Sequence, residues 1–497
     1  MIRVLAMKEL LDQLSSPKFV FLFAVSTVLV VFSLYTGSGS YVGARSEFQA
    51  TQRLSRSELQ NRRSYDEVSQ FGVKVARQPS ALSGIAGGVS SALGRSARVR
   101  PENQPELSPA PLADTPVLAV LGELDFNVVA RVFLSLFVLL LTYTAVAGEK
   151  EGGTLKAVLA NPVPRTQFLL GKALGLFGTL MAAVIVPSVL GLLVMKVGFG
   201  VALTGGEWVR LLAMFFTTVL YLLAIFAMGL LVSTLTSRSA VAFLVLLLVW
   251  VAFVEVIPKA SPMLAGQIRP APSFASLQSE RDRIQAEYQQ GIFSGMSHAF
   301  AHMQDQVNTP AESEARQRTI DSTMNRVRDS LGQQRDAKLL RLDDGYRNQQ
   351  DAMTRLSLVF ARLSPAAAMS HAVEVFAGTD FELHRRWRDD LVAYRGQLEQ
   401  FLKSKGVQFG GFRIAIRTTS SSAGRGGAGT TSNTIRIGTP NSEDVRLDVA
   451  SLPVFASRPE SFASAAGRAA PDLVILGFWA AGALLAAFAR FLKYDVR

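Results

Sequence analysis

Long apolar runs and polar blocks alternate along this chain of 497 residues. A helix needs about 20 mostly apolar residues to cross a bilayer. Six stretches reach or approach that length: 18–35, 126–147, 169–197, 209–232, 240–257 and 472–492. The pattern therefore predicts six transmembrane helices, with long polar insertions after the first and the fifth.

The predicted fold is a mainly α membrane protein with a largely helical extracytoplasmic domain that contains a small β portion. The predicted boundaries are 1–17 for an amphipathic interfacial helix, 18–35 for the first span, 36–125 for the first extracytoplasmic segment, 126–258 for spans two to five, 259–471 for the large extracytoplasmic domain, 472–492 for the sixth span and 493–497 for a cytoplasmic tail. Within 126–258, a short cytoplasmic loop, 148–170, is predicted to join spans two and three.

The first apolar run could be either a membrane span or a cleaved signal peptide, and the segment before it helps to decide between them. The rival interpretation is a signal peptide with cleavage near Val42-Gly43-Ala44. Val4, Met7, Leu11 and Leu14, however, recur at helical spacing with charged residues between them. Such a stripe is typical of a helix lying on a membrane surface, and it favours a retained first span.

Lysine and arginine concentrate in the short loops on one side of the predicted membrane. Lys150, Lys156 and Arg165 lie in the loop after the second span, whereas the short loop 198–208 carries no basic residue. Basic residues favour the cytoplasmic side. The sequence therefore predicts a multi-pass protein of the plasma (inner) membrane with both termini cytoplasmic and both insertions outside.

The insertions are predicted to hold long helices and a few strands. The first becomes rich in Gly, Ser and Ala over 83–91 and rich in Pro over 101–116, and the Pro-rich part indicates a linker. In the second, a helix over 273–306 precedes a helical pattern to about residue 363 with a heptad-like apolar seam that needs a partner helix. The seam slips near 332–338, so we expect a break and a hairpin there. Three stretches alternate like strands: 412–418, 434–437 and 445–449.

The loop between spans two and three is the most informative stretch. Its candidate functional residues are Glu149, Lys150, Glu151, Gly152, Gly153, Thr154, Leu155, Lys156, Pro162 and Arg165. One or two turns of helix are predicted to begin at Thr154 and to end before Pro162, because proline lacks an amide donor. A second helix then enters the membrane.

This loop resembles that of the permeases of ABC-2 type exporters. In that family, Glu-Arg/Lys-Glu-x-Gly-Thr-Leu, a short helix, a proline-containing turn and Gly-Lys follow the second span. This chain reads Glu149-Lys150-Glu151-Gly152-Gly153-Thr154-Leu155 and, further on, Gly171-Lys172. Lys8-Glu9-Leu10-Leu11-Asp12 resembles the family's N-terminal surface helix, and the spacing of the spans follows the family's pattern.

The resemblance implies that an ABC ATPase subunit docks on the loop, and that ATP and Mg²⁺ are bound by that subunit. It also implies a second permease copy, in a homo- or heterodimer, and contact with membrane lipids. Composition alone favours a plainer alternative, an interfacial loop with solvated charges. A phosphate-binding loop is missing from the sequence, since Gly171-Lys172 is followed by Ala173 where Ser or Thr belongs.

Three functional hypotheses follow from the sequence. The first is the permease subunit of an exporter, which is not itself an enzyme. The second is a mechanotransmitting subunit that acts on a periplasmic partner without transport, and the long seam motivates it. The third is a membrane scaffold that uses no nucleotide.

Composition excludes other classes of protein. The net charge of +12 is scattered rather than clustered, so no nucleic-acid partner is predicted. The chain has no cysteine, which excludes disulfides and thiolate chemistry. His298 and His302 are four residues apart on a predicted helix, but two histidines without a third ligand are a weak metal signal. We therefore predict no metal, cofactor or catalytic residue in this chain.

Overall fold

The computed structural model describes residues 2–90, 93–101, 104–108, 124–159, 164–270, 272–301, 310–407, 413–420, 431–438, 447–457 and 460–493. The helices are α1 (Ile2–Leu14), α2 (Pro17–Asn61), α3 (Tyr65–Phe71), α4 (Phe126–Glu151), α5 (Thr154–Leu159), α6 (Arg165–Phe199), α7 (Gly205–Leu235), α8 (Ser239–Ile268), α9 (Phe274–Ala301), α10 (Pro310–Ala361), α11 (Pro365–Ala377), α12 (Phe381–Ser404) and α13 (Phe462–Leu492). The strands are β1 (Val73–Ala76), β2 (Ser96–Val99), β3 (Glu106–Leu107), β4 (Arg413–Ser420) and β5 (Thr431–Gly438).

Among the described residues, the helices long and apolar enough to cross a membrane are α2, α4, α6, α7, α8 and α13. The predicted fold class, a mainly α membrane protein with six transmembrane helices, is confirmed. α2 and α8 continue past their apolar runs, because a helix satisfies its own backbone and can leave a bilayer without interruption. With 45 residues, α2 is about 68 Å long, and its polar half joins the second polar insertion to form what we call the inserted domain (36–108 and 259–461).

α7 lies at the centre of the bundle and α8 at its edge. The apolar window of α7 is 61% buried, whereas that of α8 is 17% buried. α7 approaches α4 closely because Gly229 has no side chain: a Cβ there would lie 2.1 Å from Oγ1 of Thr142. The buried hydroxyl of Tyr221 donates to the Arg131 carbonyl at 2.9 Å, so this polar group does not destabilise the core.

α10 is one helix of 52 residues. The predicted hairpin and break near 332–338 are therefore wrong. The seam finds its partners in the preceding helices rather than in its own second half. A Cβ on Gly291 of α9 would lie 3.0 Å from Leu331, and a Cβ on Gly266 of α8 would lie 3.3 Å from Met353. Glycines on the facing helices thus let the seam residues approach closely.

A small antiparallel sheet, in the order β1-β2-β3, was not predicted. β3 lies within 101–116, so the prediction of a linker is wrong for its two residues. β2 and β3 have four and two residues, which is too short for alternation to be recognised. Val75 of β1 and Val99 of β2 are buried in one apolar cluster with Trp387 and Leu391 of α12.

Two of the three strands predicted in the second insertion are confirmed, because β4 pairs antiparallel with β5. The third prediction, 445–449, is wrong for the residues that the structure describes there. Val449–Ser451 forms a 3-10 turn, and the Asp448 side chain accepts a hydrogen bond from the Ala450 amide. An aspartate that caps a turn in this way competes with strand pairing.

Ion pairs fasten the inserted domain to α13. Asp472 of α13 is fully buried and accepts from Arg362 Nε at 2.8 Å, and its other oxygen lies 2.7 Å from His371 Nδ1. One turn earlier, Arg468 pairs with Glu460 at 2.6 Å. A buried carboxylate in contact with two nitrogen groups fixes the relative position of the helices that carry them.

α7 and α8 are attached to the inserted domain as well. Arg210 of α7 donates to the carbonyls of Phe376 at 3.3 Å and Glu460 at 2.6 Å. The hydroxyl of Ser364 donates to the Phe253 carbonyl of α8. Three spans therefore end in hydrogen bonds to the same domain.

Candidate functional site: the loop between the second and third spans

The loop folds as a tight corner between α4 and α5. α4 ends at Glu151, and Gly153 has a φ of +71°, a left-handed conformation that glycine adopts without strain. α5 then begins at Thr154. Residues 160–163 lie outside the described residues, and the predicted role of Pro162 in ending this helix stays a prediction.

A lysine of α6 ties the loop to α1. Lys172 Nζ lies 2.9 Å from Glu149 Oε1 and 3.3 Å from Glu9 Oε2, and its side chain is only 10% exposed. One cation therefore contacts carboxylates from two other segments. The Thr154 hydroxyl donates to the second oxygen of Glu149, so that carboxylate is held at both oxygens. The attraction is strong because water has little access to screen it.

Two neighbouring residues attach the loop to the fourth and fifth spans. Lys150 Nζ donates to the carbonyls of Thr234 at 2.6 Å and Thr236 at 3.0 Å, at the C-terminal end of α7. Glu151 Oε2 accepts from the backbone N–H of Ser239 at 2.9 Å, where α8 begins. Cations suit helix C-termini and carboxylates suit N-termini, because unpaired backbone groups and the helix dipole favour those charges there.

Further contacts attach the loop to the sixth span and to the core. Arg165 Nη1 donates to the Leu492 carbonyl of α13 at 2.8 Å. Leu155 is 1% exposed and belongs to the apolar core of the bundle. Ser233 of α7 accepts from the amides of Val146 and Ala147 at 2.9 and 3.0 Å, which holds the end of α4.

The nine predicted site residues that the structure describes, all but Pro162, divide into two groups. The anchoring residues, which bind the bundle, are Glu149, Lys150, Glu151, Leu155 and Arg165. The exposed tip consists of Gly152, Gly153, Thr154 and Lys156. The structure brings both groups together within one corner. A protein that binds the tip would therefore contact a segment whose neighbouring residues are bonded to several spans.

Sequence reasoning missed the residues that hold this corner from outside the loop. Lys172 was considered only as part of a Gly-Lys motif, and Glu9 only as a polar position of α1. The available signal was the position of Lys172, seven residues inside α6, because a charged residue within an apolar span normally has a partner.

α1 packs along α6 on glycines. A Cβ on Gly171 would lie 2.7 Å from Leu5 Cβ, and a Cβ on Gly175 would lie 2.7 Å from the Ala6 carbonyl oxygen and from Glu9 Cβ. Two glycines four residues apart on one helix are typical of close helix packing. Most of the apolar stripe of α1 stays exposed: Val4, Met7 and Leu11.

Replacing Gly175 by leucine is expected to detach α1 from α6. The side chain would meet backbone, which cannot move aside, at a cost of about 2 kcal/mol. That cost makes the detached form roughly 30-fold more populated. The chain has no cysteine, so an Ala6→Cys probe would report detachment as faster maleimide labelling. Gly198→Leu on the same helix is the control, since the atom nearest to a Cβ built there is 3.9 Å away. Equal labelling in both variants would contradict the packing role.

Metal ligands are not clustered in the described ranges: no group of three or more His, Cys, Asp or Glu side chains lies close enough to hold an ion. His302 and the side chain of His298 are outside those ranges. The predicted absence of a metal site therefore stays a prediction.

The described part of the chain has six helices that can span a membrane, a charged loop bonded to several of them and a domain at their other end. This architecture is that of a multi-pass membrane protein. The chain belongs to the ABC-2 family transporter proteins, whose family model matches residues 3–496. The resemblance found in the sequence is thereby confirmed.

Two curated proteins are similar to part of the chain. A probable ABC transporter permease protein NosY of Pseudomonas aeruginosa is 52% identical over 46 residues, which are 9% of this chain and 17% of that protein. The NosY permease of Stutzerimonas stutzeri is 41% identical over 73 residues, which are 15% of this chain and 22% of that protein. The chain thus matches about a fifth of the length of these relatives.

Proposed function

We propose that this chain is the permease subunit of an ATP-driven ABC-2 type exporter of the inner membrane, with both termini cytoplasmic. A separate ABC ATPase subunit binds ATP and Mg²⁺ and docks on the exposed tip, and a second permease copy completes a dimer. Family membership supports the proposal. The observation that carries it is the exposed tip itself, which sits on a corner bonded to α6, α7, α8 and α13.

Movement of the ATPase would enter the bundle through the anchoring residues. Lys150, Glu151 and Arg165 each bind the end of a different span, so a push on the tip is shared among those spans. Packed helices respond to such a push by rigid-body shifts rather than by bending. The substrate would be extruded across the bilayer or extracted from it.

The docking role is tested with the variant Gly152→Trp/Lys156→Glu, which alters only exposed residues of the tip. We expect the amount of ABC ATPase that co-purifies with the chain to fall at least tenfold, which corresponds to about 1.4 kcal/mol of binding. The melting temperature of the chain should not change, because neither side chain is among the anchoring residues.

The matched control is Lys196→Glu/Gly198→Trp, which makes the same changes at the opposite end of α6, where Lys196 is exposed. The control should retain the ATPase. Normal association of the tip variant, or labelling of Lys156 from outside intact cells, would contradict the docking role. Purification of the unaltered chain without any ATPase would favour the scaffold hypothesis.

A second candidate is mechanical transmission to a periplasmic partner, and one observation favours it. α7, α8 and α13 are bonded at one end to the loop and at the other to the inserted domain, through Arg210, Ser364 and Asp472 respectively. A shift of these spans would therefore move that domain. ATP-dependent uptake of substrate into inverted vesicles supports export, and ATP-dependent movement of the domain without uptake supports transmission.

A further inference from the structure

A groove in the inserted domain is used by none of the roles described so far. Its volume is about 850 Å³, and it lies where the end of α8, the C-terminal part of α10 and the first half of α12 meet. Five arginines line it: Arg347 and Arg355 of α10, Arg385 and Arg388 of α12, and Arg269, the residue after α8. We call it the arginine groove.

Positive charge in the arginine groove exceeds negative charge. Three aspartates line it, Asp344, Asp351 and Asp389, so five guanidinium groups face three carboxylates. Asp351 pairs with Arg385 at 3.2 Å, and Glu382, which is not in the groove lining, lies 3.6 Å from Arg385 Nε. The two remaining aspartates are exposed, where water screens their charge. The groove therefore offers a net attraction for an anion.

Several guanidinium donors in the groove lack an acceptor. Nε of Arg385 and Nε of Arg388 are buried and have no hydrogen-bond partner in the part of the chain that the structure describes. Over the same residues, Arg269 and Arg355 form no ion pair. Burial is the largest cause that lowers the pKa of Arg388; the neighbouring Arg347 and Arg385 lower it further, and Asp351 and Asp389 oppose the shift.

Unpaired donors and neighbouring like charges cost free energy unless an anion neutralises them. The planar guanidinium fork matches the paired oxygens of a phosphate or a carboxylate, which it binds through two parallel hydrogen bonds. The chemistry of the groove therefore selects an oxyanion.

An apolar surface leads from the membrane to the same groove. Leu356 and Val359 line it near the end of α10, and Ser364, three residues after that helix ends, donates to the Phe253 carbonyl of α8. On α8, three large apolar side chains remain exposed between the bilayer and the groove: Met263, Leu264 and Ile268. Apolar surface of this kind, next to a membrane, suits a hydrocarbon chain.

We propose that the arginine groove binds an amphiphile with a phosphate or carboxylate head group. The head group contacts the arginines, and the apolar part lies along Leu356, Val359 and the exposed face of α8. Binding to this groove needs no ATPase subunit. Its test is therefore independent of the function proposed above.

The test measures equilibrium binding of dodecyl phosphate to the full chain in neutral-lipid nanodiscs, with inorganic phosphate and a neutral dodecyl glycoside as separate probes. We expect dodecyl phosphate to bind at least tenfold more tightly than either, because it alone engages both parts of the groove. Arg269→Gln/Arg355→Gln should weaken that binding at least tenfold, since each exchange removes a charge-assisted contact. Both arginines are exposed and unpaired over the described residues, so folding should not change.

Arg341→Gln is the matched control, because Arg341 is exposed on α10 outside the groove, and it should bind like the unaltered chain. Equal affinities for inorganic phosphate and dodecyl phosphate would contradict the proposal of an amphiphilic ligand and would indicate a site for free phosphate. Equal binding of dodecyl phosphate by the double variant and by Arg341→Gln would overturn the site itself.

Discussion

Lys172→Met should release the loop and α1 from α6 and destabilise the protein by roughly 3 kcal/mol. The ammonium of Lys172 contacts both Glu9 and Glu149, and its removal takes from both carboxylates the cation that they share. Breaking a partly buried ion pair from one side is strongly destabilising, because the remaining charge keeps its desolvation cost and loses its partner. Here two charges lose theirs.

The expected readouts are a lower melting temperature in nanodiscs and faster amide hydrogen exchange over α1 and residues 148–159. Lys196→Met is the control, since it makes the same exchange at an exposed position of the same helix. Glu9→Gln/Lys172→Met should recover part of the stability, because it removes one of the two carboxylates. Equal melting temperatures of Lys172→Met and Lys196→Met would show that the contacts of Lys172 with Glu9 and Glu149 do not stabilise the corner.

Asp472→Leu should loosen the inserted domain at its attachment to the sixth span, with a loss of about 3–5 kcal/mol. Asp472 is fully buried and is the shared acceptor of Arg362 and His371. Leucine has a comparable size but accepts no hydrogen bond, so Arg362 would keep an uncompensated charge in a partly buried position.

Hydrogen exchange over Pro365–Ala377 and the first turns of α13 measures this loosening, and Asp282→Leu, at an exposed aspartate of the same domain, is the control. Arg362→Leu/Asp472→Leu should be more stable than Asp472→Leu alone, because neither charge of the pair remains. Slow exchange of Pro365–Ala377 in the single variant would show that apolar packing of α11, rather than the ion pair, fixes the domain.

These two sites lie at opposite ends of the same bundle. In the proposed exporter, Lys172 would hold the corner on which the ATPase acts, and Asp472 would hold the domain that responds. A loss of coupling in both variants, with ATP hydrolysis retained, is what a mechanical path through α13 and its neighbours requires. Lys172→Met thus tests the end of the bundle on which the ATPase would act, and Asp472→Leu tests the end attached to the inserted domain.

The sequence by itself determined the number of spans, the helical class and the position of the loop. Each apolar run carries its own signal, because about 20 apolar residues suffice to cross a bilayer whatever their neighbours are. The loop was equally accessible, since its charged and glycine-rich residues are contiguous. The same local reasoning failed for the short strands β1 to β3 and for the uninterrupted α10, whose partner helices lie elsewhere in the chain.

Only the tertiary structure decided which loop residues anchor and which are exposed. Lys172 meets Glu149 across 23 residues and Glu9 across 163 residues, and Arg165 reaches Leu492 across 327 residues. The five arginines of the groove lie on α10, on α12 and just after α8, which sequence periodicity does not bring together. The reason is physical: hydrophobic length and turn chemistry are properties of neighbouring residues, whereas ion pairs and grooves depend on which distant helices pack side by side.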